Sequence, residues 1–292
     1  MFTERQQTTS AGPCNVAVGP ENGPPLVFFH GVTRRWNCFL PILPLLSTRW
    51  QIYAIDFPGH GRSEARLEEY SVTDYCRFAG DWIRDQFKHP VAIYGHSLGA
   101  MVAAEVAGRQ SGQVMACILE DPPFHTMGSL ISRTPLLSYF KGLMNFAGIH
   151  ELGQGPGLQR LQELIVEDPS NGMKTRLDEM RSGSAIRFMA DCLSCLDPSV
   201  LTSIVECRWL EHYAVDTVFQ RLSIPTLLLQ ADPMVGGMLR DDTVMGVRRI
   251  RPEVHVERRE GVGHQLHWGD PGWVANESLL FLESIRAKVA SH

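Results

Sequence analysis

Six short apolar runs alternate along this 292-residue chain with longer stretches of helical periodicity, and that rhythm leaves few architectures open. The runs are "PLVFFHG" (25–31), "QIYAIDFPG" (51–59), "PVAIYGHS" (90–97), "VMACILED" (114–121), "PTLLLQAD" (225–232) and "VHVERREGVGH" (254–264). The first five are apolar almost throughout, as strands are when helices cover both faces of a parallel sheet. Helices are predicted over 36–48, 71–88, 97–110, 236–250 and 271–291, the first interrupted by Pro41 and Pro44. Strand followed by helix, repeated, predicts an α/β chain with a doubly wound, mostly parallel sheet.

The rhythm breaks between residues 122 and 215, where no convincing strand pattern occurs. Helical patterns dominate there: "LLSYFKGLMNFAG", "GLQRLQELIVED", "MKTRLDEMRSGSAIRFMADCL" and "PSVLTSIVECRWLEHYAV". Prolines in "ILEDPPF" and "QRLSIPTLLLQAD" stop regular structure at the two edges. The expected organisation is an α/β core of residues 1–121 and 216–292, with 122–215 inserted as a helical cap, or lid.

Charge and composition narrow the partners. The formal net charge is −5 and the basic residues form no long run, so neither nucleic acid nor an anionic membrane is expected as a partner. A small neutral or weakly charged molecule fits better, bound by a monomer or homodimer. The polar start "MFTERQQTTSAGPCNV" does not read as a secretory signal, and no run of about eighteen apolar residues is present. Seven cysteines at irregular positions suit buried thiols rather than a disulfide framework, so a cytoplasmic location is expected.

The chemistry centres on "VAIYGHSLGAMVA" (91–103). Gly95, Ser97 and Gly99 fit Gly-x-Ser-x-Gly, with a predicted strand before and a predicted helix after. A serine on so sharp a turn needs small neighbours two residues away on each side, and the turn lifts its hydroxyl out of the sheet. The hydroxyl remains a weak nucleophile until a base takes its proton. In "EGVGHQLHWGDPG" His264 hangs from a loop at a strand's C-terminal end, where ligands gather in open α/β sheets; His267 is its rival. His30, His60 and His96 read as structural hydrogen-bonding groups.

The base needs an acid to fix its tautomer, and Asp232, at the tip of "PTLLLQAD", is the first candidate. Glu120 and Asp121 compete for that role from the end of the 114–121 run. Oxyanion donors are expected from the N–H of Leu98, at the start of the helix, and of Val32, after Gly31 in "FFHGVTRRW". Trp36, Phe124 and Trp268 flank the predicted loops as substrate-pocket candidates, and His125 is a further contact. Arg34, with Arg35, is a candidate for a substrate carboxylate against the commoner outcome of a solvent-facing loop arginine. Cys192 and Cys195, with Cys207 and His212 behind, are only a weak zinc pattern, so no metal and no organic cofactor are expected.

With "HGVTRRW" (30–36), "DFPGHGRSE" (56–64), "GHSLG" (95–99), "QAD" (230–232) and "GVGHQLHWGDP" (261–271), the chain resembles the α/β-hydrolase fold superfamily from about residue 14 onward, as a capped member. The resemblance implies Ser97 as nucleophile, Asp232 as acid, His264 as base, and Val32 and Leu98 as oxyanion donors. A serine at the elbow disfavours the dehalogenases and epoxide hydrolases that carry an aspartate there. The expected activity is that of a serine esterase or lactonase on small, mostly apolar substrates. Hydrolysis of a carbon–carbon bond in a keto acid, or a ligand receptor that retains the triad, stands as the alternative, because fold does not choose among them.

Overall fold

The computed structural model describes residues 1–128, 130–167 and 172–290. Its strands are β1 (Thr3–Thr9), β2 (Gly12–Val18), β3 (Pro25–Phe29), β4 (Gln51–Ile55), β5 (Val91–His96), β6 (Val114–Glu120), β7 (Ile165–Glu167), β8 (Lys174–Arg176), β9 (Thr226–Ala231) and β10 (His255–Arg259). Eight of them form one sheet in the order β1-β2-β4-β3-β5-β6-β9-β10. Every pairing from β4 to β10 is parallel, while β1 with β2 and β2 with β4 are antiparallel.

The apolar runs follow from this burial. Along the central strands Val27, Phe29, Ile93 and Leu119 pack into one hydrophobic cluster, and the alternate residues Leu26, Phe28, Tyr94 and Ile118 into another. A strand buried on both faces has no polar side to show, so it reads as a continuous run. Helices Val72–Gln86, Leu98–Arg109, Asp241–Ile250 and Pro271–Ala290 flank the sheet. The first is closed by a capping box in which Ser71 and Asp74 satisfy each other's backbone N–H groups. The predicted helix 36–48 is two short turns, Trp36–Phe39 and Leu43–Leu46.

Between β6 and β9 come helices Leu136–Met144, Gly155–Gln162, Gly183–Ser194, Ser199–Val205 and Val215–Arg221. Two details differ from expectation. The helix over "GLQRLQELIVED" stops at Gln162, and β7 pairs antiparallel with β8, so the insertion holds a small hairpin built on the β-branched Ile165 and Val166. The chain's start is a second antiparallel hairpin, β1 with β2, and because β1 is polar at every position it escapes an apolar-run search. Asp168 and Ser291, ends of two predicted helices, lie outside the described residues. No single helix among the described residues is long and apolar enough to cross a membrane.

Candidate active site

β5 ends at His96, helix Leu98–Arg109 begins one residue later, and Ser97 alone makes the bend. Its backbone takes φ 55°, ψ −117°, a region L residues avoid. Such strain persists only where the surroundings hold it. Here the two flanking glycines let backbones meet: a Cβ on Gly95 would lie 2.2 Å from the Gly99 carbonyl oxygen, and one on Gly99 would lie 1.9 Å from that of Phe29. The Ser97 N–H donates to the Glu120 carbonyl at 3.0 Å, tying the elbow to the end of β6. Its hydroxyl makes no hydrogen bond to any described residue, which is common for a catalytic group before substrate binds.

His264 packs against the elbow's His96 and meets an acid. Its ring centroid lies 4.7 Å from that of His96, and its carbonyl accepts from His96 Nε2 at 3.0 Å. His264 Nδ1 is 2.6 Å from Asp121 Oδ2, and its side chain keeps 18% exposure while Asp121 has none. With Nδ1–H donated to a carboxylate, Nε2 is left unprotonated to accept a proton. Asp121 is held by backbone donors: Met238 N at 2.7 Å on Oδ2, and Leu239 N at 3.1 Å and Ala231 N at 3.2 Å on Oδ1.

Asp232, the first candidate from sequence, does not reach the base. Its Oδ1 accepts from Met234 N and its Oδ2 from Gly261 N, both at 2.9 Å, and Arg258 Nη2 stands 3.5 Å away. The N–H of Gly261, then that of Met234, hold its carboxyl below the usual range. Asp232 also donates its own N–H to the Val262 carbonyl at 2.8 Å, so it fastens the loop that carries His264. The carboxylate that meets His264 is instead that of Asp121, one residue past the end of β6, the strand paired with β5.

The turn after β3 completes the constellation. A Cβ on Gly31 would stand 2.9 Å from His96 Nδ1 and 3.1 Å from Ser97 Cβ, so glycine is demanded by close approach rather than by an unusual φ. The positive φ falls on Thr33, at 62°. The N–H groups of Val32 and Leu98 have no acceptor among the described residues. Two buried histidines brace this turn. His30 Nε2 accepts from Phe57 N at 2.9 Å, leaving Nδ1–H for the Gly31 carbonyl at 2.8 Å. His60 Nε2 accepts from Thr33 N at 3.3 Å, and its Nδ1–H faces the Pro58 carbonyl at 3.0 Å. Burial pushes the pKa of His30 well down and that of His60 to about 4, so both stay neutral.

Sequence comparison agrees with this geometry: residues 26–277 match the alpha/beta hydrolase family. The chain belongs to that family. Among its relatives is a 2-(acetamidomethylene)succinate hydrolase of Mesorhizobium japonicum, 32% identical over 100 residues, which are 34% of this chain and 36% of that protein. A pimeloyl-[acyl-carrier protein] methyl ester esterase of Chromobacterium violaceum is 31% identical over 106 residues, 35% of this chain and 39% of that one. The aligned stretch thus spans little more than a third of either relative. The crystal structure of E-2-(acetamidomethylene)succinate hydrolase superposes with a TM-score of 0.73 over 97% of this chain and 100% of that one, at 17% identity, a likeness of fold.

In this alpha/beta hydrolase a second acid–histidine pair lies beneath the first. Glu120 accepts from His267 N at 3.0 Å, from His267 Nδ1 at 2.8 Å and from Tyr94 Oη at 2.5 Å, with Glu120 and His267 fully buried. Burial works against the Glu120 charge, but His267, His96 and these hydrogen bonds bring its pKa down to about 2. His96, Glu120 and His267 bring their ligand atoms within 4.8 Å of one another, yet both Glu120 oxygens already have donors. His267 is therefore a buried anchor for the base loop. No sequence signal distinguishes its pairing with Glu120 from that of His264 with Asp121.

The other pocket candidates separate. Trp36 is 8% exposed and packs in the core, 6.3 Å from the Phe2 ring, and Phe124 is buried against Phe219 at 5.4 Å. His125 and Phe124 line a cleft of about 750 Å³ whose walls include neither Ser97, Asp121 nor His264. Trp268 is 40% exposed; its Nε1–H donates to the Cys38 carbonyl at 2.7 Å, and its ring meets Phe188 of helix Gly183–Ser194 at 5.3 Å. Of the zinc pattern, Cys192 is buried while Cys195 and Cys207 are exposed.

Proposed function

We propose that this alpha/beta hydrolase cleaves small carboxylic esters or lactones through an acyl-enzyme on Ser97. The observation that carries the reading is the 2.6 Å contact of His264 Nδ1 with a fully buried Asp121, next to a serine held at positive φ. Ser97 Oγ attacks the carbonyl carbon while His264 Nε2 takes its proton, and the N–H groups of Val32 and Leu98 receive the developing oxyanion. The alcohol leaves with the proton from His264. Water then attacks the acyl-enzyme, gives its proton to His264, and the acid departs as Ser97 regains its hydrogen. The relative named as a methyl ester esterase supports an ester as the scissile bond.

Intact-mass analysis after exposure to a fluorophosphonate tests this directly. One adduct on the wild type and none on Ser97→Ala is expected, with turnover of p-nitrophenyl esters lost in the same variant. An unlabelled wild-type enzyme would remove the serine-nucleophile reading.

A further inference from the structure

Two arginines stand on the oxyanion turn, both half-buried, and among the described residues neither forms an ion pair. The partners of Arg34 are all neutral. Its Nη1 donates to the Thr33 carbonyl at 3.2 Å and to Thr33 Oγ1 at 3.3 Å. Gln265, with its amide oxygen turned toward the guanidinium, accepts from Nε at 3.0 Å and Nη2 at 3.2 Å. Arg35 has less: its Nε is buried without any partner. Asp56, whose carboxyl feels the Arg35 charge, is committed elsewhere. It accepts from Trp36 N at 2.7 Å, Asn15 Nδ2 at 2.8 Å and Arg62 N at 2.9 Å.

Arg34 is a partly desolvated cation with neutral partners only, and the buried Arg35 Nε–H has lost water without gaining a hydrogen bond, both at a cost. Their position indicates what would restore the balance. Arg34 closes the turn that begins at Gly31, its N–H donating to the Gly31 carbonyl at 3.2 Å, and Gly31 abuts Ser97. Gln265 directly follows His264. The charges of both arginines reach Cys192 on the cap helix Gly183–Ser194. The pair thus sits on the turn after β3, against the loop that carries His264 and toward the helix Gly183–Ser194.

We propose that Arg34 and Arg35 form an anion subsite, and that the substrate is an ester whose acyl portion carries a free carboxylate. Its reaction half rests on the serine-hydrolase reading above. The planar guanidinium fork matches a carboxylate in a way that the single oxygen of Gln265 does not, so the substrate displaces Gln265 from Arg34. Arg35, whose buried Nε–H has no acceptor until then, supplies the second cation. The expectation of a mostly apolar substrate becomes that of an acyl chain with one charged end.

Two measurements separate the subsite from the chemistry. The first compares kcat/KM for the mono-p-nitrophenyl ester of adipic acid with that for its uncharged methyl-capped counterpart. The wild type should favour the acid by about tenfold or more, the worth of one charged hydrogen-bonded contact, and Arg34→Gln and Arg35→Gln should each shrink that ratio. The second titrates adipate into Ser97→Ala by calorimetry, where binding should be seen and should be lost when Arg34→Gln is added. Folding of each variant is checked by its melting temperature, and Arg34→Lys, which keeps charge but not the fork, replaces a variant that does not fold and should retain part of the preference. A wild type with no preference, a preference that survives in every folded variant, or no adipate binding overturns the subsite. If fluorophosphonate fails to label Ser97, the serine-hydrolase reading falls by itself, and the calorimetry still decides the subsite.

Discussion

Asp121 and Asp232 each stand one position past the end of a strand, on neighbouring strands of one sheet, and only Asp121 touches the base. The two residues should therefore fail in different ways. Asp121→Asn removes the acceptor for His264 Nδ1–H and favours the wrong tautomer, so kcat for a p-nitrophenyl ester should fall by about 10³–10⁴. Asp232→Asn leaves that contact in place and weakens the loop tie to Gly261, so kcat should change far less while the denaturation midpoint drops. Steady-state kinetics and denaturant melts on both variants check the split; equal losses of kcat would return the acid role to debate. Chain order alone cannot separate them, since both lie between Ser97 and His264.

The turn that joins strand β5 to helix Leu98–Arg109 brings backbone against backbone at Gly95 and Gly99. Its legibility in sequence follows from that: only glycine lets a carbonyl approach to the distances seen at positions 95 and 99. Gly99→Ala should cost about 3 kcal/mol or more in urea melts, because the added methyl must displace the Phe29 carbonyl from the sheet. A more ordinary element responds modestly. Ser71→Ala, which opens the capping box of helix Val72–Gln86, should cost about 1 kcal/mol in the same assay. The hairpin β7–β8 was not legible, because three-residue strands are too short for a periodicity to show.

Across the whole molecule, buried histidines couple stability to pH. His60, with its pKa lowered to about 4, and His30, lowered well below its usual value, are neutral when folded. Unfolded, they titrate near 6.5. The unfolded chain thus binds more protons below that pH. The stability these groups contribute is intact above about 6.5 and is lost as pH falls toward 4. For His60 alone the loss reaches up to about 3 kcal/mol. Melting temperatures should therefore fall between pH 6.5 and 4, and His60→Gln should flatten that part of the profile; an unchanged slope in this variant would show that His60 does not set it. The carboxylate of Glu120, lowered from 4.5 to about 2, works in the same direction at lower pH: its stabilisation is whole above about 4.5 and is lost as pH falls toward 2.

The amino-acid sequence by itself determined the mostly parallel sheet and the tight turn at Ser97. Burial on both faces, helical period and tight backbone approach all leave local marks in residue order. Tertiary structure decided the matters that depend on distance between remote segments. Whether His264 meets Asp121 or Asp232 depends on strand order and on how far the loop after β10 reaches across it. Trp36 and Phe124, adjacent in sequence to the predicted catalytic loops, turn into the core, where an aromatic ring gains more from burial than from facing a pocket. Arg34 and Arg35 read equally well as solvent-facing or substrate-facing in the chain. Packing makes the difference, by half-burying two cations that form no ion pair among the described residues.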